Sequence, residues 1–259
     1  MGRVTSMIEF KGVRYAYPDG TEALAGASLR IAAGEKVALL GPNGAGKTSL
    51  LLALAGLIEL DGGEVVVAGV AVTPATAREA RRRVGLVFQE PDDQLFMTTV
   101  WDDVAFGPAN YGVRGVDLDA RVRSALDAVG MWHHHDRAPH HLSVGERRRV
   151  ALATVLAMEP EALALDEPSS NLDPLARAEF ADILVALDRT ILMVTHDLAY
   201  AREVCDRAVI IDAGRIVADG PLAEVLDDSP LLIRHRLAAP RTQTSARRRG
   251  RRADEAGGA

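Results

Sequence analysis

Gly41-Pro42-Asn43-Gly44-Ala45-Gly46-Lys47-Thr48 decides the fold. The stretch fits the full spacing of a phosphate-binding loop, and its surroundings fit as well. Lys36-Val37-Ala38-Leu39-Leu40, just before it, is a run expected of a strand buried on both faces. Lys47 to Ala55, just after it, reads as a helix, with Gly56 near its end. Strand, loop and helix together give the chemistry a physical basis. Glycines let successive backbone N–H groups turn inward on phosphate, and the helix N-terminus adds positive potential. Lys47 brings a formal charge to the β and γ phosphates, and the Thr48 hydroxyl is placed to ligate Mg²⁺. By itself the loop says only nucleoside triphosphate. It does not separate a kinase from a GTPase or a motor.

Working outward, Met7 to Phe10 and Ala27 to Ile31 alternate as antiparallel strands do, with Tyr17-Pro18-Asp19-Gly20 as a turn between them. Glu64 to Val72 is a short strand region. The middle of the chain, about 75–158, reads as mostly helical, with helices predicted over Ala75 to Arg83 and Leu118 to Val129. Ala162 to Leu165 and Thr190 to Val194 are further buried strands, separated by a helix from Leu175 to Leu187. Ala208 to Ile211 and Arg215 to Ala218 read as a closing hairpin. Strands alternating with helices predict an α/β fold. The expected architecture is a phosphate-loop NTPase core with a mainly parallel sheet, an antiparallel β subdomain and an inserted α-helical subdomain. One domain is expected over 1–239, followed by a disordered basic tail over 240–259.

Composition narrows the partners. The 259 residues are 48% hydrophobic, 25% charged and 4% aromatic, so the core rests on Ala, Leu, Val and Ile. The single cysteine, Cys205, rules out a disulfide within the chain and fits a reducing compartment. No secretory signal is expected from Met1 to Phe10. The longest apolar segment, Ser49 to Leu60, is shorter than the roughly 20 residues a membrane span needs. Any membrane this protein serves is therefore served from outside the lipid. The net charge is −6, and Arg241, Arg247, Arg248, Arg249, Arg251 and Arg252 in the tail leave the body more acidic still. An acidic body argues against nucleic acid as a partner. The tail reads as a solvated terminus in preference to a contact for anionic lipid or RNA.

Three further stretches carry chemistry. The apolar run Ala162 to Leu165 ends in Asp166-Glu167, and a carboxylate at the C-terminal end of a parallel strand faces the ligand crevice. Asp166 is placed to hold Mg²⁺. Glu167 points differently and can orient and deprotonate an attacking water. His141-Leu142-Ser143-Val144-Gly145-Glu146 opens a helix running to about Met158. Ser143 and Glu146 form a capping-box pattern, which needs no function to explain it. The alternative is an anion site at that helix N-terminus for the γ-phosphate held by a second molecule. The order of parts, with a capped helix shortly before the acidic strand end, resembles the arrangement of the ABC ATPases, and that resemblance favours the alternative.

With these residues in place, the chain resembles the ABC ATPases over nearly all of 7–236. The resemblance implies that Tyr17, or alternatively Tyr15, stacks on adenine, and that Gly41 to Thr48 with Ser49 bind ATP. It implies that Gln89 senses Mg²⁺ and water and relays to a membrane subunit. Ser143, Val144, Gly145 and Glu146 correspond to the signature, offered in trans. Thr48, Gln89 and Asp166 would serve Mg²⁺. Lys47, Glu167 and His196, the last in Val194-Thr195-His196-Asp197, would be catalytic, and Asp173 in Asn171-Leu172-Asp173 would cross between partners. Two positions depart from the usual signature: Val144 stands for Gly and Glu146 for Gln. Val144 is tolerable if its side chain faces away. Glu146 places charge near an anion unless the capping box turns it back.

The segment Val84 to Phe96, followed by Asp103-Val104-Ala105-Phe106-Gly107-Pro108, is similar to the energy-coupling-factor branch. Thr195 to Cys205 and Val217-Ala218-Asp219-Gly220 are similar to its cobalt/nickel-type members. That branch imports vitamins or transition-metal ions. The resemblance implies a second ABC ATPase subunit, identical or a paralogue. It also implies an integral membrane coupling subunit docking near Gln89 to Phe106, and a peripheral place on the cytoplasmic face of the cell membrane. A soluble ABC ATPase uncoupled from transport is the rival reading. Such proteins carry long coiled-coil insertions or tandem cassettes, and this chain has neither. A phosphate-loop kinase would leave the signature and His196 without purpose. The histidines at 133–135 and 140–141 read as a polar loop in preference to a metal-sensing cluster, since adjacent histidines cannot all aim at one ion.

Overall fold

The computed structural model describes residues 6–239, so the arginine-rich tail lies outside the described residues. In chain order the strands are β1 (Ser6–Ala16), β2 (Glu22–Ala32), β3 (Lys36–Leu40), β4 (Gly62–Val67), β5 (Val70–Ala71), β6 (Val84–Val87), β7 (Ala162–Asp166), β8 (Thr190–Val194), β9 (Arg207–Asp212) and β10 (Arg215–Pro221). The helices are α1 (Lys47–Leu54), α2 (Ala77–Arg83), α3 (Val100–Asn110), α4 (Gly115–Ala128), α5 (Val144–Leu156), α6 (Pro174–Ala186), α7 (Leu198–Val204), α8 (Leu222–Asp227) and α9 (Ser229–Arg234).

Two sheets organise these elements. The larger runs β10-β9-β3-β8-β7-β6, parallel throughout except for β10, which turns back against β9. The smaller runs β2-β1-β4-β5 and is antiparallel. The apolar runs of the larger sheet have a physical cause. Val37 and Leu39 of β3 enter one core while Ala38 and Leu40 enter the other. In β7, Ala162 and Ala164 face the first core and Leu163 and Leu165 the second. With water on neither face, the inner positions of these strands are apolar and polar residues stand only at their ends.

The first core fills the space between the two sheets, and α1 lies in it. Leu50, Leu51 and Leu54 pack there with Ile8, Phe10, Leu24 and Ile31 from the antiparallel sheet. The second core lies on the opposite face of the larger sheet. It takes Val100 and Val104 of α3, Val122 and Leu126 of α4, Val150 and Leu152 of α5, Phe180 and Leu184 of α6, and Tyr200 of α7.

The expected helical stretch about 75–158 needs correction. Val84–Val87 within it is a strand, the edge strand of the larger sheet, paired in parallel with β7. Ala80 of α2 and Val84 pack in the first core, so the helical layer begins only with α3. A run this short, interrupted by Gly85, offers little periodicity to read. Gly85 has a packing cause: a β-carbon there would run into Val155 of α5. Helix α3, which lies within the expected helical stretch though no bounds were given for it, carries Pro108 in its last turn and is capped by Thr99, whose hydroxyl accepts from Asp102 N–H.

Candidate nucleotide site

Because β3, β8, β7 and β6 are mutually parallel neighbours, the loops after their C-terminal ends leave the sheet along one edge. In open α/β sheets that edge is the ligand-binding one. The loop after β3 is residues 41–46, β7 ends in Asp166 and Glu167, β8 leads into Thr195 and His196, and β6 leads into Gln89.

The loop after β3 is pressed close to its neighbours. Gly46 caps α1 with φ 105°, a left-handed conformation, and a β-carbon there would meet the Ala23 carbonyl. At Gly41 a β-carbon would meet the Ile211 carbonyl. Pro42 is half-buried and Ala45 buried, while Asn43 and Gly44 face outward. Lys47 is buried, and its Nζ donates to the carbonyls of Gly41 at 2.7 Å and Pro42 at 3.0 Å. Burial lowers the Lys47 pKa, against the pull of Glu167 and Asp166. The Tyr17 hydroxyl lies 3.0 Å from Ser49 Oγ at the start of α1. The Tyr17 ring is 40% exposed and stands edge-on to Tyr15 at 5.2 Å, so Tyr17 is the aromatic that reaches α1.

The acidic pair diverges at the strand end. Thr48 Oγ1 donates to Asp166 Oδ2 at 3.4 Å. Burial raises the Asp166 pKa and the Glu167 charge adds to it, opposed by the Thr48 hydrogen bond and Lys47. Glu167 has φ 44°, left-handed for a residue with a side chain, and its N–H donates to the Val194 carbonyl at 2.9 Å. Its carboxylate turns toward the neighbouring strand end. Oε2 accepts from the backbone N–H of His196 at 3.3 Å and lies 2.9 Å from His196 Nδ1. Where that carboxylate is ionised it can only accept, and Nδ1 then carries the hydrogen in the pair. The Glu167 side chain is 12% exposed and the His196 ring 67% exposed. Gln89 is exposed just beyond β6.

The signature segment is elsewhere. α1 lies in the first core and α5 packs in the second, so the larger sheet separates the two helices. Ser143 caps α5 in a capping box: its Oγ accepts from Glu146 N–H at 3.3 Å, and Glu146 Oε2 accepts from Ser143 N–H at 2.8 Å. Glu146 is thereby turned back onto its own helix. The Ser143 backbone hydrogen bond lowers its pKa, with His134 contributing at 3.2 Å. Ser143 and Val144 are exposed. Gly145 abuts α6, where a β-carbon would come within 2.8 Å of Ala176 Cβ. Asp173 caps α6, accepting from Leu175 and Ala176 N–H groups at 2.9 and 3.0 Å.

Sequence reasoning missed Arg148, which is fully buried and directed at this region from α5. It donates to the carbonyls of Glu167 at 3.4 Å and Ser170 at 2.9 Å. A signal existed: Arg148, Ala151, Leu152 and Val155 recur at helical spacing and all are buried. The histidine stretch also finds ordinary partners. His134 meets Glu146, and His135 stacks on Trp132 with centroids 4.4 Å apart. Among the described residues no group of three or more His, Cys, Asp and Glu is arranged to hold a metal ion, and no helix is long and apolar enough to cross a membrane.

Comparison with known proteins bears on the family. A family model described as ABC transporter matches residues 24–170. A putative ABC transporter ATP-binding protein of Streptomyces coelicolor is 60% identical over 233 residues, covering 90% of each chain. An energy-coupling factor transporter ATP-binding protein of Carboxydothermus hydrogenoformans is 45% identical over 236 residues, covering 90% of this chain and 87% of that one. Among solved structures, cbiO1 from Clostridium perfringens, described as part of the ABC transporter complex cbiONQ, superposes with a TM-score of 0.80. It is 35% identical, over 89% of this chain and 94% of that one.

Proposed function

The chain belongs to the ABC transporter family, as an ATP-hydrolysing subunit with energy-coupling-factor relatives, and from that premise we propose that it works as half of a nucleotide-sandwiching pair that powers a membrane importer. The observation that carries the reading is the convergence of Lys47, Asp166, Glu167 and His196 on one sheet edge, with Glu167 held 2.9 Å from His196.

The chemistry follows from that edge. Tyr17 offers a face to adenine, and the N–H groups of residues 41–49 receive the phosphates. Mg²⁺ fits here, since Thr48 and Asp166 present hard oxygens 3.4 Å apart and Asp166 lies half-buried beside a second carboxylate. Thr48, Asp166 and Gln89 would hold it, and it would supply charge neutralisation at the β and γ oxygens. Glu167 takes the proton as water adds to the γ-phosphorus and the bond to the bridging oxygen breaks. Lys47 and the exposed His196 ring stabilise charge on the transferred group.

The far side of the triphosphate is left for Ser143 and Gly145 of a second subunit, because each subunit keeps its own α5 across the sheet from its own phosphate loop. Asp173 lies on the connection that would meet the partner. Glu146 is compatible with this, its carboxylate being occupied by the Ser143 N–H and His134. The partner subunit, identical or a paralogue, and an integral membrane subunit complete the assembly on the cytoplasmic face of the membrane. The cargo is a small solute, a transition-metal ion such as cobalt or nickel, or a vitamin. Exposed Phe96 and Phe106, edge-on at 5.0 Å, lie in the segment suited to the membrane subunit.

The test is ATP turnover per subunit against protein concentration, alongside affinity purification from membranes with metal analysis of what co-purifies. Turnover rising with concentration and recovery of an integral membrane protein are expected. Full turnover by dilute monomers with Ser143 dispensable would overturn the sandwich.

A further inference from the structure

An arginine with no exposure needs a reason, because taking a guanidinium out of water is expensive unless its donors are used. Among the described residues no carboxylate lies in hydrogen-bond reach of Arg148. Its Nη1 and Nη2 donate to two main-chain carbonyls, those of Glu167 and Ser170, while Nε has no hydrogen-bond partner among the described residues. The turn they belong to is tight. Glu167 and Asn171 are both left-handed, at φ 44° and 63°, and Ser170 N–H returns to the Glu167 carbonyl at 3.1 Å. Left-handed backbone at residues with side chains persists only where the surroundings over-determine it.

The same helix touches this segment a second time. Gly145, one turn before Arg148, abuts Ala176 just after the Asp173 cap. α5 therefore grips the chain from 167 to 176 at two heights, and its exposed tip carries Ser143.

We propose that Arg148 is a positioning residue for hydrolysis: it fixes the backbone of Glu167 from α5, so that the helix whose tip would contact the partner's nucleotide also sets the aim of the base in its own subunit. The inference rests on the function proposed above, with Glu167 as base and α5 as the element engaged across the pair. Glu167 then has a support on each side. His196 holds its carboxylate from β8, and Arg148 holds its main chain from α5. The base sits correctly when both elements are in register, which ties movement at the tip of α5 to the chemistry in the same subunit.

The experiment compares full-length wild type with Arg148→Met, Arg148→Lys and Glu167→Gln, and adds the double variant Glu167→Gln/Arg148→Met. Steady-state ATPase activity and equilibrium binding of a fluorescent ATP analogue are measured on samples shown folded by thermal melts. Arg148→Met is expected to lower kcat by roughly 10- to 100-fold, within the range that misplacing a catalytic group costs. KM and nucleotide affinity should stay within about threefold, since the phosphate loop lies across the sheet. Arg148→Lys, which keeps a donor, should recover part of the loss. In the Glu167→Gln background the methionine should cost almost nothing further, because the group it positions is gone.

A wild-type kcat in Arg148→Met would overturn the proposal. So would an equal fold-loss with and without Glu167, or no recovery in folded Arg148→Lys. Failure of the underlying reading looks different: wild type itself would hydrolyse at full rate as a monomer, or Glu167→Gln would keep its turnover.

Discussion

On the proposed function the sheet edge and the tip of α5 would both meet phosphate, yet they are made on opposite plans. At the edge, charged groups are buried and mutually tuned: Lys47 is desolvated against two loop carbonyls, and Asp166 is pushed up by burial and by Glu167. At the tip, Ser143 is exposed and its side chain is already used within the capping box. In the proposed sandwich the edge would carry the groups that break a phosphate bond, and the tip would supply closure against water and no reactive group. An element that must dock and leave has to be soluble when alone, so its polar groups are satisfied locally. An element that does chemistry has to carry strain.

Glu167→Gln tests the edge most severely. It keeps the shape and removes the proton acceptor. Turnover should fall by roughly 10²- to 10⁴-fold, with ATP affinity retained and a closed dimer accumulating on size exclusion. Rapid hydrolysis in this variant would strip Glu167 of its role.

Ser143 tests the tip by setting capping against contact. Aspartate caps a helix as well as serine but adds a charge facing the partner's γ-phosphate. Ser143→Asp should melt within a degree or two of wild type while its ATPase rate drops by about 10-fold or more, whereas Ser143→Thr keeps most activity. Equal rates for the two would make the tip a structural cap and nothing else.

A smaller effect separates stability from function at the edge. A carboxyl whose pKa is raised on folding binds more protons folded than unfolded. Its cost to stability is therefore full above the raised value and absent below the ordinary value of 3.8. Asp166→Asn should accordingly raise Tm at neutral pH, by about 2 °C, and the gain should vanish as pH falls through the ordinary carboxylate range. Mg²⁺-dependent turnover should be lost in the same variant. A Tm gain persisting at low pH would assign it to something other than this charge.

Smallest of the four, Glu146→Gln should remove the charged half of the capping box. A loss of about 0.5–1 kcal/mol in thermal or urea denaturation is expected, with ATPase activity unchanged or slightly higher.

The strands that carry the edge were legible because of where they sit. β3, β7 and β8 are wet on neither face, so their residues form uninterrupted apolar runs, and the chemistry begins where those runs stop. The Ser143 and Glu146 cap was equally legible, being local in sequence. β6 was not, since four residues with a glycine at the sheet margin carry no usable period. Arg148 hid in a different way. Arg147-Arg148-Arg149 is a run of like charges, but successive helix positions point about 100° apart and only the middle one is fully buried. The Glu167–His196 pairing joins residues distant in sequence and depends on β7 and β8 being neighbours, which no spacing rule supplies.

The ammonium of Lys47, clasped by the carbonyls of Gly41 and Pro42, has a thermodynamic corollary. On the proposed function, the cation that holds the loop's curl is the one a polyphosphate would claim. Arrival of the ligand is thus an exchange of oxygens around a stationary charge, and little chain entropy is spent arranging the cradle. Weak acceptors such as water or a neutral hydroxyl gain nothing from that exchange, so the clasp itself selects for highly anionic guests.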